Sequence, residues 1–284
     1  MATSKKAQGS NLLATIITGI VCLAIGVVLG KFVLSGHNTA DPLNKVTLSE
    51  SELDTVVATY TYGGEKHQVT ARDVIEDASS LEAELNKDGT YALPTADNVL
   101  AYARNKIIIG EAESRGITVT DEDISAYAME MLGTDDFAAI ASTYGLSEDV
   151  AKRMLGESAM MKALRDQILA DTATVEMPAN PPAEPEDGNK DATSKEYADY
   201  VIALLGDEWD AANNTWARTD GQYYATLQTY PISNEEASYE AAEQAYYVAY
   251  MAYANATSNS SQAWTDFVNG LLGSASIEIA TLCA

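Results

Sequence analysis

Val57, Thr59 and Thr61 alternate with Ala58, Tyr60 and Tyr62 until the chain reaches Gly63-Gly64. A period of two in β-forming residues that stops at a pair of glycines predicts a hairpin, because the favoured hairpin turns need positive φ. The second arm, HQV, is short. At Thr70 the period lengthens: Thr70 with Asp73 makes a capping box and opens a helix. Pro94 and Thr95 open the next, NVLAYARNKIIIGEAESR, which stops at Gly116. Val99, Ala103, Ile107 and Gly110 fall on one face of it, and Leu100, Ile108 and Ala112 widen the stripe. Thr120 and Asp123 form a second capping box ahead of DEDISAYAMEML. DDFAAIASTYG predicts a short helix ended by Gly145. Ser147 then caps EDVAKRMLGESAMMKALRDQIL, where Val150, Met154, Leu155, Met161, Leu164 and Ile168 make a long apolar stripe.

The flanking stretches are patterned differently. Residues 36–54 are polar with little periodicity and read as a stalk. Residues 171–195 hold four of the seven prolines together with acids and small polar residues, the composition of an extended, solvated linker. The helical period returns over 196–273, first in EYADYVIALLGDEWDAANNTWA, then in a tyrosine-rich stretch, then in a short helix at WTDFVNGLL. SASIEIATL closes the chain, with Ile277 and Ile279 alternating with Ser276, Glu278 and Ala280. A lone strand leaves half its backbone groups unpaired. Residues 276–282 are therefore expected to pair with the hairpin at 55–70, which would make 171–263 an insertion in a discontinuous domain.

At the other end, residues 12–30 contain no charge, long enough for a helix to cross about 30 Å of hydrocarbon. The expectation is an uncleaved signal anchor spanning about 12–34, with a cleaved secretory signal as the alternative. Lys5 and Lys6 place the N-terminus in the cytoplasm, so the protein is expected in the cell membrane as a single-pass chain with its C-terminal part extracytoplasmic. Charge sharpens this picture. The net charge is −25, and residues 1–36 hold three lysines and no acid, which leaves 14 basic and 42 acidic side chains for the rest. Such a surface repels nucleic acid and anionic headgroups. Cys22 and Cys283 cannot plausibly pair, and His37 and His67 have no cysteine near them, so neither a disulfide framework nor a metal site is expected. No cofactor is implied.

Two groups of side chains invite a binding role. Methionine-rich surfaces adapt to varied apolar partners, and Met129, Met131, Met154, Met160 and Met161, with Tyr127, lie on the helices after residue 95. Tyr239, Tyr246, Tyr250 and Tyr253 fall on one helix face, where Tyr246 and Tyr250 could stack on sugar rings or clasp peptides. The plainer reading is that the methionines fill a core and the tyrosines form packing surface with their hydroxyls at the rim. No carboxylate sits in an apolar neighbourhood that marks it for acid–base work.

Residues 56–169 resemble the N-terminal chaperone domain of the SurA/PrsA group of extracytoplasmic foldases, related to the peptide-binding part of trigger factor. The resemblance is carried by the hairpin followed by VTARDV, then IIIGEAESRGITVTDEDI, FAAIASTYGLSEDVAKRML and MMKALRDQIL. WTDFVNGLLGSASIEIATL, residues 264–282, resembles the family's return to its first hairpin. The family's parvulin isomerase segments are absent, and residues 170–284 contain no histidine. The resemblance therefore implies a mainly α fold with a small antiparallel β-element, in which an N-terminal transmembrane helix precedes a SurA-N-like helical domain closed by a C-terminal strand. Its implied parts are an anchor at 1–35, a stalk at 36–54, the helical domain at 55–170, a linker at 171–195, a Tyr-rich helical region at 196–273 and the strand at 274–284. It implies holdase- or foldase-type binding of unfolded or exported polypeptides, with Met129, Met154, Met161, Tyr127, Tyr246 and Tyr250 as candidate contacts. A surface or carbohydrate-binding module using the tyrosines is the alternative, and a degenerate prolyl isomerase a third.

Overall fold

The computed structural model describes residues 46–172 and 174–280. The expected span at 12–34, the lysines before it, and both cysteines lie outside the described residues. Among the described residues no helix is long and apolar enough to cross a membrane. The fold is mainly helical with small antiparallel sheets. It divides into two compact units: residues up to Ala170 together with those from Trp264 onward, and Asp171–Ala263.

In the first unit β1 (Thr47–Ser49) precedes β2 (Val56–Tyr62) and β3 (Glu65–Thr70), which pair antiparallel. Gly63 and Gly64 have φ of 60° and 87°, the left-handed geometry their turn requires. Thr70 accepts a hydrogen bond from the Asp73 amide, and the Asp73 carboxylate accepts one from the Thr70 amide, which starts α1 (Ala71–Ala78). After α2 (Leu81–Glu84), β4 (Thr90–Ala92) pairs with β1. The stretch read as the end of a stalk is therefore folded: Leu48 and Leu53 are fully buried, each contributing roughly 1.5–3 kcal/mol of apolar burial. A single leucine in three polar neighbours leaves no period to read.

Four helices follow: α3 (Ala96–Ser114), α4 (Asp121–Leu132), α5 (Phe137–Tyr144) and α6 (Glu148–Ile168). Each N-cap is a Thr, Asp or Ser whose side chain accepts the amide three residues on. Val99, Ala103, Ile107, Ile108 and Ala112 of α3 are buried. Ile107, Ile108, Ala112 and Leu164 form one core cluster with Val268 and Leu272 from the end of the chain. There β9 (Ser276–Ile279) pairs antiparallel with β2, setting Ala58 against Ile279 and Tyr60 against Ile277, so the sheet order is β3-β2-β9. The unit is discontinuous in sequence.

Among the described residues the second unit has no regular structure from 174 to 192, then forms β5 (Thr193–Ser194), α7 (Lys195–Leu205), β6 (Trp209–Asp210), β7 (Thr215–Trp216), α8 (Gln222–Leu227) and β8 (Ala237–Ser238). Two expectations are corrected here. EYADYVIALLGDEWDAANNTWA is not one helix: it stops at Leu205, and Asp210 turns the chain by accepting the Ala212 and Asn213 amides, so that Trp209 faces Trp216 across a hairpin. WTDFVNGLL is not a separate helix either, but the last part of α9 (Tyr239–Gly273), 35 residues long. Its residues through Ala263 belong to the second unit. Polar NATSNSSQ lacks an apolar stripe but contains no helix breaker, so the helix continues through it.

Residues 171–195 are also more ordered than a solvated linker. The Tyr197 and Tyr200 hydroxyls donate to the carbonyls of Ala183 and Ala179, at 2.8 and 2.7 Å, and the Glu240 and Tyr239 amides donate to Lys190 and Ala192. The core beneath joins Val201, Leu205 and Leu227 to Tyr197, Trp209, Tyr239 and a set of alanines.

Candidate functional site

In the first unit α3, α4 and α6 leave a groove of about 440 Å³. Ile109, Ile124, Gly156 and Met160 supply its apolar lining, and Glu113, Asp149, Lys152, Arg153 and Glu157 its charges. Gly156 is buried in the middle of α6. A Cβ there would stand 3.1 Å from the Ile124 Cδ1, so glycine is what lets α4 bring Ile124 against α6.

The cations around the groove are already engaged. Lys106 pairs with Glu157 at 2.6 Å and with Asp77 at 2.9 Å, and lies over the Tyr102 ring at 5.1 Å. Arg153 donates to the carbonyls of Glu76 and Asp77, closing the C-terminal end of α1. Lys152 pairs with Asp121 at 3.0 Å. Among the described residues, Glu113 and Asp149 make no ion pair. Burial works to lower the Lys106 pKa, but hydrogen bonds to Glu157 and Asp77 outweigh it and the net shift is upward. Burial likewise pushes Tyr102 up to about 12 and raises Tyr127. Each of these shifts moves the group further from neutrality, which fixes its charge at pH 7 and offers no proton for transfer there. The arrangement is an apolar floor rimmed by charges.

The sequence-predicted residues fall unevenly around this groove. Met129 and Met154 are 50% and 38% exposed, on α4 and α6. Met161 packs against the Leu164–Val268–Leu272 cluster, and its neighbour Met160 lines the groove in its place. Tyr127 is buried. In the second unit Tyr246 and Tyr250 are brought together, with ring centroids 6.0 Å apart, and Tyr253 follows at 6.3 Å. Tyr239, seven residues before Tyr246 on the same helix, is buried edge-on against Tyr197 at 5.5 Å. Sequence reasoning missed Ile109, Ile124 and Gly156. The one available signal was a glycine inside a strongly helical run, which marks close helix approach.

Among the described residues no group of three or more His, Cys, Asp or Glu side chains could hold a metal ion. No family model, no curated protein and no solved structure matches the chain. The likeness to the SurA/PrsA group therefore rests on the residues that carry it.

Proposed function

We propose that the protein is a membrane-anchored, extracytoplasmic chaperone-like protein that binds unfolded or exported polypeptide and performs no prolyl isomerisation. The observation that carries the reading is the groove between α3, α4 and α6, apolar at Ile109, Ile124 and Met160, with Met129 and Met154 exposed elsewhere on α4 and α6. Unbranched, polarisable methionine adapts to many apolar shapes, as a surface with varied clients requires. The sequence resemblance to the SurA/PrsA chaperone domain supports the same reading, and so does the apolar run at 12–30, which fits an anchor.

The test is suppression of aggregation. The full chain is added to a chemically denatured reference protein on dilution, and light scattering is followed. Suppression is expected at near-stoichiometric amounts, and Met160→Glu with Met129→Ser and Met154→Ser should abolish most of it while far-UV circular dichroism is kept. Equal suppression by this variant would sink the assignment of the site. Catalysed cis/trans exchange of an Ala-Pro test peptide, well above the uncatalysed timescale of tens to hundreds of seconds, would overturn the non-catalytic half of the reading.

A further inference from the structure

The second unit already shows what its tyrosines bind. Residues 178–185 contain Pro178, Pro181, Pro182 and Pro185. Prolines have no N–H to donate, so such a segment presents apolar rings and carbonyl acceptors, and a partner must answer with donors and flat apolar faces. Tyr197 and Tyr200 do this on α7: one hydroxyl donates to Ala183 and the other to Ala179. Tyr200 packs against the core cluster that holds Ala241, Ala242 and Ala245 of α9, so the tyrosine run that starts at Tyr246 follows directly on the helix turn that the cradle abuts. From Tyr246 the ladder continues through Tyr250 to Tyr253 at ring spacings of 6.0 and 6.3 Å.

Within the ladder Tyr250 is 40% exposed while Tyr246 and Tyr253 are half-buried, and Tyr247 and Met251, 58% and 39% exposed, extend the open surface on the adjoining stripe. The tyrosine anchors of the chain's own proline-rich segment end at Ala179, and Val175 and Met177 before it are exposed. The face is also neutral: between Glu243 and Asp266 α9 carries no charged residue, in a chain of net charge −25. A neutral aromatic ladder beside an occupied proline cradle matches an uncharged, proline-rich extended peptide, whose stiffness keeps the ordering cost low.

We infer that the Tyr246–Tyr250–Tyr253 face of α9 is a docking surface for proline-rich extended polypeptide, continuing the cradle that the chain's own residues 178–185 occupy. It is separate from the groove of the first unit and can fail or stand without it.

The experiment titrates the full chain with capped decaproline, with a Gly-Ser peptide of equal length and with cellohexaose, followed by calorimetry. Decaproline is expected to bind and the other two not. Tyr250→Ala should weaken decaproline about tenfold, and Tyr250→Phe less, since stacking is kept and only a hydroxyl is lost. Tyr250 is exposed, and unchanged circular dichroism would show the fold intact in both variants. No decaproline binding, binding that Tyr250→Ala leaves unaltered, or equal binding of the Gly-Ser peptide overturns the inference. Cellohexaose binding that Tyr250→Ala abolishes overturns it in favour of a glycan.

Discussion

The two units are built from different materials. The first has an aliphatic core of Leu48, Leu53, Val57, Val69, Val99, Ile107 and Leu164, and its helices are tied by charges that reach between elements, such as Lys106 to Asp77 and Glu157. It closes only when residues more than 200 positions apart meet, as Ala58 and Ile279 do. The second is continuous in sequence, its core mixes aromatic rings with alanines, and its loops are held by local devices. Asp210 and Asn213 make one of these, and the Trp209 indole donating to Asn234 makes another. Long-range closure against local pinning is the contrast, and it predicts where each unit breaks.

The largest expected effect is at the closure. Removing 274–284 deletes β9, which pairs with β2 at four positions and carries Ile277 and Ile279 against two core clusters. β2 then becomes an unpaired edge. The first unit should lose several kcal/mol, about 10 °C in melting temperature, while the second keeps its own. Trp209 and Trp216 lie in the second unit and Trp264 in the first. In a Trp264→Phe background, fluorescence therefore follows the second unit while circular dichroism follows both. Coincident shifts in the two signals would remove the contrast altogether.

Next in size is a local device of the second unit. The buried Glu208 carboxylate accepts the Tyr223 and Tyr224 amides at the start of α8, and a Cβ on Gly221 would fall 2.0 Å from its Cδ. Gly221→Ala should cost about 1–3 kcal/mol by overpacking. In a Glu208→Ala background the same change should be close to neutral, because the clash is gone. Simple additivity in urea titrations of the four proteins would show that the glycine is not there for the glutamate.

This contrast also explains what was legible. Five helices of the first unit, α1 and α3 to α6, were readable because each begins with a Thr, Asp or Ser cap, whereas the four-residue α2 has its Ser80 cap but is too short to show a period. Thr120 with Asp123 fixes the start of α4 to the residue, and burial of Ile124 follows from it. The pairing of 276–279 with β2 was readable because alternating isoleucines need a partner strand. The groove was not, since Ile109 and Ile124 come together only through the crossing at Gly156, which no single-helix period encodes. In the second unit the turn at Asp210 depends on one side chain that accepts from Ala212 and Asn213, and the tyrosine anchors on Ala179 and Ala183 on one hydrogen bond each. A proline-rich composition predicts exposure, which the segment keeps, but not the hydroxyls that hold it in place.

An effect of similar size is expected at Lys106. Lys106→Met keeps the stem's packing against Tyr102 but leaves Asp77 and Glu157 without their shared cation, which should cost the first unit about 1–3 kcal/mol. Removing all three charges together, with Asp77→Asn and Glu157→Gln, should recover part of that loss. A triple variant no more stable than Lys106→Met would show that the carboxylates do not feel each other.

The smallest effect is a pH dependence confined to the first unit. The Tyr62 hydroxyl donates to Glu111, which also accepts from Arg115 at 2.6 Å, and the Arg115 guanidinium lies over the Phe267 ring at 5.1 Å. Burial acts to raise the Glu111 pKa, but the hydrogen bonds from Tyr62 and Arg115 outweigh it and hold the carboxyl below its ordinary 4.5. A carboxyl with a lowered folded-state pKa binds fewer protons folded than unfolded, so its stabilisation is present above 4.5 and is lost as pH falls through the lowered value. Tyr62 works at the other end: burial first, then the hydrogen bond to Glu111, push it up to about 12, so its share is present below 10.0 and is lost as pH rises toward 12. Between those limits the pair should add about 1 kcal/mol. Urea midpoints of the first unit from pH 3 to 7 should fall less steeply on the acid side in Glu111→Gln than in the parent chain. The second unit's tryptophan midpoint should keep the same acid slope in both proteins. Identical acid slopes for the first unit in the two proteins would mean that Glu111 is not the carboxylate that sets its acid limit.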